Sequence, residues 1–242
     1  MKLVAVTTQD KAYYDKIGKS SIESFVKYWP ETITLCVFLD DFEVDNHDNV
    51  VYFSTKDLGP DFDNFMSKNY KSRIKTFAKK AFSWIKMCEI TDADRVIWVD
   101  SDVITLNKIP ETFLRELCDD KTLASYLSVT YNHIKTEHGK EIVSPIKCGE
   151  TGFYVMNTQH DDFEKFVSRY KQYYTDGLGK KLRRFYDGDV FGAVVTEFEK
   201  QTKFRDLGNK VSATVFSRSI LSKYMTHFKG KVKKQSSFML NT

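Results

Sequence analysis

The sequence predicts an α/β protein with a mostly parallel central sheet flanked by helices. Three observations carry this. Continuous apolar runs alternate with segments of helical period. No composition shift or linker rich in Pro, Gly or Ser divides the chain, and its 242 residues suffice for one domain with a sizeable core.

"KLVAVTT" reads as a buried strand, and "DKAYYDKIGKSSIESFVKYWP" as a helix entered at Asp10 and ended before Pro30. "TITLCVFLD" is a second strand, closing at Asp40 and Asp41, and "NVVYFST" a third. From Asn69 to Glu89 the apolar positions Ile74, Phe77, Ala78, Ala81, Trp84, Ile85 and Cys88 recur at helical spacing. Lys71, Arg73, Lys75, Lys79, Lys80 and Lys86 mostly take the other faces, so a long basic amphipathic helix is expected. "RVIWVD" is continuous and apolar, as a central parallel strand would be, and "ETFLRELC" begins a short helix after Pro110. Downstream, "TLASYLSV" and "GETGFYVMNT" read as strands, and "DDFEKFVSRYKQYY" and "DGDVFGAVVTEFEK" as helices. Thr130 to Ile146 is polar, holds His133 and His138, and is expected to be a surface excursion or hairpin.

Cys36, Cys88, Cys118 and Cys148 lie far apart without a C-x-x-C pair, which argues against a zinc site or a disulfide framework and suits a reducing compartment. The opening "MKLVAVTTQD" is too short and too soon broken for a signal peptide, and no window approaches a membrane span. A cytoplasmic protein is expected. The formal net charge of +4 is concentrated in "KNYKSRIKTFAKK" and "KGKVKK". Such runs suit a polyanionic ligand without separating a nucleotide diphosphate from DNA, and a solvated helix face with a basic tail accounts for them equally.

The chemistry concentrates at "RVIWVDSDVITLNKIP". Residues i and i+2 of a strand point to the same side, so Asp100 and Asp102 are expected to converge just past the strand's carboxyl end, where open α/β sheets bind ligands. Two carboxylates there repel unless a cation joins them, and hard oxygen donors suit Mn²⁺ or Mg²⁺. The plainer alternative is a turn in which both aspartates cap backbone amides.

Through "DADRVIWVDSDVITLNKIP" the sequence resembles nucleotide-sugar glycosyltransferases of the GT-A (Rossmann-like) fold, family 8 of that class in particular, with related bacterial and phage proteins. "GETGFYVMN" is similar to the E-C-G-F strand of those proteins, with Thr151 in place of Cys. "FYDGDVF" resembles their W-H-D-S helix start, with Phe185-Tyr186 before Asp187 and Gly188 after it, and "YMTHFKGKVKK" resembles their closing H-x-K-G-x-x-K segment. Together these span about Lys71 to Lys234.

The resemblance implies a retaining transfer from a UDP-sugar, with Mn²⁺ or Mg²⁺ held by Asp102 and His227 and shared with Asp100, or with Asp100 on the donor ribose. Gly230 would admit the diphosphate, and Lys229, Lys231 and Lys233 would neutralise it. Asp187 and Glu150 are the candidate catalytic contacts to sugar or acceptor, although Asp187 and Asp189 also suit plain helix caps and Glu150 a lysine partner. Thr7 and Thr8 would lie near the base and ribose. Lys80 fits the family pattern, whereas Arg73 is inferred from charge alone. Residues 1–110 would form the nucleotide-sugar and metal half, and 111–242 the acceptor half with its basic closing segment.

The acceptor could be a glycan or protein hydroxyl or, ranked below these, a hydroxymethylated DNA base. Two other classes compete. A sugar-phosphate nucleotidyltransferase would carry a Gly-rich basic loop after the first strand, where this chain has "TTQDKAYY". A non-catalytic nucleic-acid-binding module would use the basic helix with Tyr70, Phe77 and Phe82, of which Phe77 spaces better as core.

Overall fold

The computed structural model describes residues 1–137, 140–182, 184–208 and 216–228. The first strand, β1 (Leu3–Gln9), is followed by a helical run in three pieces: α1 (Lys11–Tyr13), a π-helical turn at Tyr14–Gly18, and α2 (Lys19–Tyr28). Asp10 caps the run by accepting from the Tyr13 backbone N–H at 2.7 Å. Next come β2 (Thr34–Leu39) and β3 (Val50–Ser54). α3 (Pro60–Lys68) then starts with Pro at its first position after Gly59, whose φ of 91° suits glycine. The basic helix is α4 (Ser72–Ile90), and it leads into β4 (Arg95–Val99), β5 (Val103–Thr105) and α5 (Glu111–Glu116). β6 (Ala124–Glu137) and β7 (Lys140–Asn157) form a long hairpin, the second of the two forms expected for the polar stretch, which prolongs both strands. α6 (Phe163–Thr175), α7 (Asp187–Phe198), β8 (Phe204–Asp206) and β9 (Met225–His227) complete the described elements.

The main sheet has the order β3-β2-β1-β4-β7-β6-β8. Its first four strands are parallel, as expected, but β7 joins β4 antiparallel. Strand alternation feeds two apolar layers. Val4, Val6, Phe38, Val96 and Trp98 face the core under α3, α4, α6 and α7, while Leu3, Ala5, Val37, Ile97 and Val99 face the one under α2 and α5. Burial on both faces explains why the strand sequences read as unbroken apolar runs. The sheet therefore presents only its ends, and the carboxyl ends of β1 and β4 open side by side. No helix among the described residues is long and apolar enough to cross a membrane.

Candidate active site

β4 is buried throughout and stops at Val99. Asp100 still pairs through its backbone N–H with the Gly152 carbonyl at 2.9 Å, but the chain then turns, the Val103 N–H donating to the Asp100 carbonyl at 2.9 Å. Asp100 and Asp102 thus converge through this turn and not through strand alternation, which corrects the geometric reason for expecting them together. The turn hands the chain to β5, which pairs antiparallel with β9 in the register Val103↔His227. The Phe228 N–H donates to the Asp102 carbonyl at 2.9 Å, and this pairing carries His227 to the aspartates from the far end of the chain.

Asp100, Asp102 and His227 offer ligand atoms that all lie within 4.8 Å of one another. His227 Nε2 is 2.9 Å from Asp102 Oδ1 and 3.6 Å from Asp100 Oδ2. The remaining oxygens are held by the protein. The Tyr13 hydroxyl donates to Asp102 Oδ2 at 2.8 Å, while Trp98 Nε1–H and the Lys80 ammonium donate to Asp100 Oδ1 at 2.8 and 2.6 Å. One oxygen of each carboxylate is thereby fixed and the other faces the imidazole, the kind of outer support that orients metal ligands. Two carboxylates with an imidazole form a donor set that fits Mn²⁺ or Mg²⁺.

Behind this cluster Lys80 is a buried ammonium. It bonds Asp100, the Thr151 carbonyl at 2.6 Å and Asp187 at 2.7 Å, and the Thr151 hydroxyl donates to the same Asp187 oxygen at 2.5 Å. Burial alone would raise the Asp187 carboxyl, but Lys80 and Thr151 outweigh it and hold the group below its ordinary value. Burial pushes Asp100 up, against the pull of Lys80 and His227. Burial would lower the His227 imidazole, yet the hydrogen bonds to Asp102 and Glu150 bring it up to about 9. A cation that takes the ring nitrogen must displace that proton. On the other side of the ring, Nδ1 lies 3.3 Å from Glu150 Oε1. Gly152 is required beside it, because a Cβ there would come within 2.5 Å of Nδ1.

These groups line a cleft of about 500 Å³ at the carboxyl end of the sheet. Of the expected residues, Thr8, Arg73, Lys80, Asp100, Asp102, Glu150, Asp187 and His227 line it. Thr7 is 3% exposed, turned to the opposite side of β1 from Thr8, and is not among the lining residues. Gly230, Lys231 and Lys233, with Lys229, lie outside the described residues. Asp187 does begin a helix, as a cap would, but its carboxylate is committed to Lys80 and Thr151. Phe77, spaced like core, is half-buried at the cleft, its ring 5.0 Å from that of Tyr186. Phe82 is buried and Tyr70 is 94% exposed.

Sequence reasoning passed over Tyr13, Trp98 and Thr151 as supports, and Gln9, Asp10 and Arg184 as lining. Trp98 was within reach, since it precedes Asp100 by two residues on the same strand face. Tyr13 was not, because its place depends on the π-helical turn that follows it.

The arrangement of the sheet and its cleft is that of the GT-A glycosyltransferases, a class defined here by fold. The WbbM bifunctional glycosyltransferase matches with a TM-score of 0.59 and 12% identity over 95% of this chain and 46% of that one, so the chain spans less than half of that protein. Mouse xyloside xylosyltransferase 1 matches with a TM-score of 0.52 and 14% identity, covering 92% of both chains. The galactosyltransferase LgtC, solved with donor and acceptor sugar analogs, matches with a TM-score of 0.52 and 13% identity over 94% of this chain and 87% of that one. No protein-family model matches the sequence, and no curated protein matches it.

Proposed function

We propose that this protein is a metal-dependent glycosyltransferase that moves a sugar from a UDP-sugar to an acceptor hydroxyl with retention of configuration. The observation that carries the reading is the convergence of Asp100, Asp102 and His227 at the sheet's carboxyl end, inside a cleft of about 500 Å³, within the usual range of small-ligand sites. Retention rests on the motif resemblance.

Asp100, Asp102 and His227 would hold Mn²⁺ or Mg²⁺, which supplies Lewis acidity toward the departing nucleoside diphosphate. Thr8, at the end of β1, lines the cleft and would meet the base and ribose. Glu150 and Asp187 line the same cleft: Glu150 would accept from sugar hydroxyls, and Asp187, kept anionic by Lys80, would stabilise positive charge developing at the anomeric carbon. The bond from the anomeric carbon to the diphosphate oxygen breaks, a bond to the acceptor oxygen forms, and the acceptor proton leaves to the diphosphate. Gly230, Lys231 and Lys233 supply the tail that would neutralise that diphosphate. Residues 1–110 serve the donor, and 111–242 the acceptor and closing segment, with His227 reaching across.

A panel of UDP-sugars assayed for UDP release tests this. Release that needs Mn²⁺ or Mg²⁺ and stops with chelator is expected. Absence of release from every donor, or pyrophosphate release from a nucleoside triphosphate plus a sugar phosphate, would replace this reading with the nucleotidyltransferase one.

A further inference from the structure

We propose that the acceptor is a strand of nucleic acid, bound along a band of cations and aromatic rings that runs from the loop before α4 into the mouth of the cleft; the proposal rests on the glycosyltransferase reading and names its acceptor.

At the mouth, the Arg73 guanidinium lies 4.3 Å from the centre of the Tyr186 ring and 5.8 Å from that of Phe77. Arg184 lies 5.2 Å from the same Tyr186 ring. Both arginines line the cleft, so two guanidinium groups and two rings form its rim. Guanidinium planes stack on bases and donate to phosphates, a combination that lysine alone lacks. Three residues before Arg73 stands Tyr70, 94% exposed and flanked by Lys68 and Lys71. Lys68 also lines a second, smaller hollow together with Lys180.

Charge decides what this band fits. Three carboxylates close to it are matched, Asp189 by Arg184 at 3.0 Å, Asp61 by Lys171 at 3.0 Å, and Asp40 by Lys79, whereas Asp10 in the cleft lining and Asp176 beside the hollow have no cation among the described residues within ion-pair distance. Among the described residues Lys68, Lys71, Arg73, Lys75 and Lys180 have no carboxylate within ion-pair distance, so unmatched cations outnumber the unmatched Asp10 and Asp176 and the band is left positive. A single exposed tyrosine is ordinary on any protein surface. One set among unmatched cations and continuous with an arginine–tyrosine rim offers both features of a single strand, phosphate charge and flat bases. A neutral glycan could stack on the exposed ring but would leave the unmatched cations unused, so the charge decides for a polyanion. The carboxylates lie inside the cleft, so the nucleotide presenting its hydroxyl must come from a single strand or swing out of a duplex.

The test is fluorescence anisotropy of the full chain with a labelled single strand of about 12 nucleotides, matched to the site sizes of such surfaces. Calorimetry of UDP binding with Mn²⁺ accompanies it. Binding should weaken steeply with salt, and Tyr70→Ala should weaken it about tenfold, the loss of one stacked base. UDP binding should be unchanged, because Tyr70 does not line the cleft. A protein that binds UDP with Mn²⁺ but no oligonucleotide at low salt overturns the inference and leaves the proposed function standing. Equal binding of a sulfated glycan, indifferent to Tyr70→Ala, overturns it too. Loss of UDP binding in the unaltered protein removes both readings.

Discussion

At the amino end of β4, Arg95 is buried, and its guanidinium donates to Asn157 Oδ1 at 2.5 Å, to Asp120 at 2.6 Å and to the Cys118 carbonyl at 3.2 Å. At the carboxyl end, three carboxylates meet two cationic side chains: Lys80 bonds Asp100 and Asp187, and His227 bonds Asp102, with the Tyr13 hydroxyl and Trp98 N–H as neutral donors. The same strand thus carries a closed charge network at one end and an under-neutralised one at the other. Buried charge is normally paired, so the excess of carboxylates at the cleft end is what the proposed metal would offset. The difference also separates roles that burial alone would confuse. Arg95 and Asp102 are about equally hidden, yet Arg95 meets one carboxylate and neutral acceptors, while Asp102 sits in a cluster where carboxylates outnumber cations.

Three experiments press on that contrast. The largest effect is expected at the carboxyl end: Asp102→Asn should cut metal-dependent UDP release by about 10³-fold or more, the scale of a lost Lewis acid. Its unfolding midpoint in urea should hold, since the amide still accepts from Tyr13. Near-normal turnover of this variant would erase the distinction between the two ends. At the amino end, Arg95→Met should do the reverse, costing about 2–3 kcal/mol of stability by stranding the Asn157 and Cys118 acceptors while leaving Mn²⁺ affinity in place. A loss of metal affinity matching the loss of stability would show that the ends are not independent.

The smallest effect belongs to a pair remote from both ends, Arg169 and Glu197 on α6 and α7, bonded at 2.6 Å and each about a third exposed. The Arg169 bonds, with help from the Tyr173 hydroxyl, hold the Glu197 carboxyl below its ordinary value. A depressed carboxyl contributes above its unfolded value of about 4.3, and the contribution fades as pH falls through the folded value. Glu197→Gln should therefore cost under about 1 kcal/mol at pH 7, reduced by solvent screening, and less still in acid. Urea midpoints of the two proteins that stay equally far apart from pH 7 down to pH 3 would contradict the assignment.

Much of this fold was legible because the sheet is covered on both faces. Apolar runs such as "RVIWV" then have no polar alternation, and helices such as α4 carry a clear period. α3 was missed: its apolar Phe62, Phe65 and Met66 span barely two turns, although Gly59-Pro60 is a start signal. Phe77 was assigned to the core by its spacing, yet periodicity tells which side of a helix a residue takes and not whether a cleft opens there. The candidate ligands were found in the sequence through their motifs, while Tyr13 and the closeness of Gly152 to His227 had no local mark.

By itself the sequence determined the longer strands and helices, though not α3, β5, β8 or β9, and the carboxylates waiting at the end of β4, because those features are written in neighbouring residues. Only the tertiary structure decided that β7 enters antiparallel beside β4 and that β9 pairs with β5, closing 125 residues of sequence to set His227 2.9 Å from Asp102. Strand pairing is a choice among partners that share the same local pattern. The packing of the whole sheet selects one of them, and the metal-ligand geometry exists only after that selection.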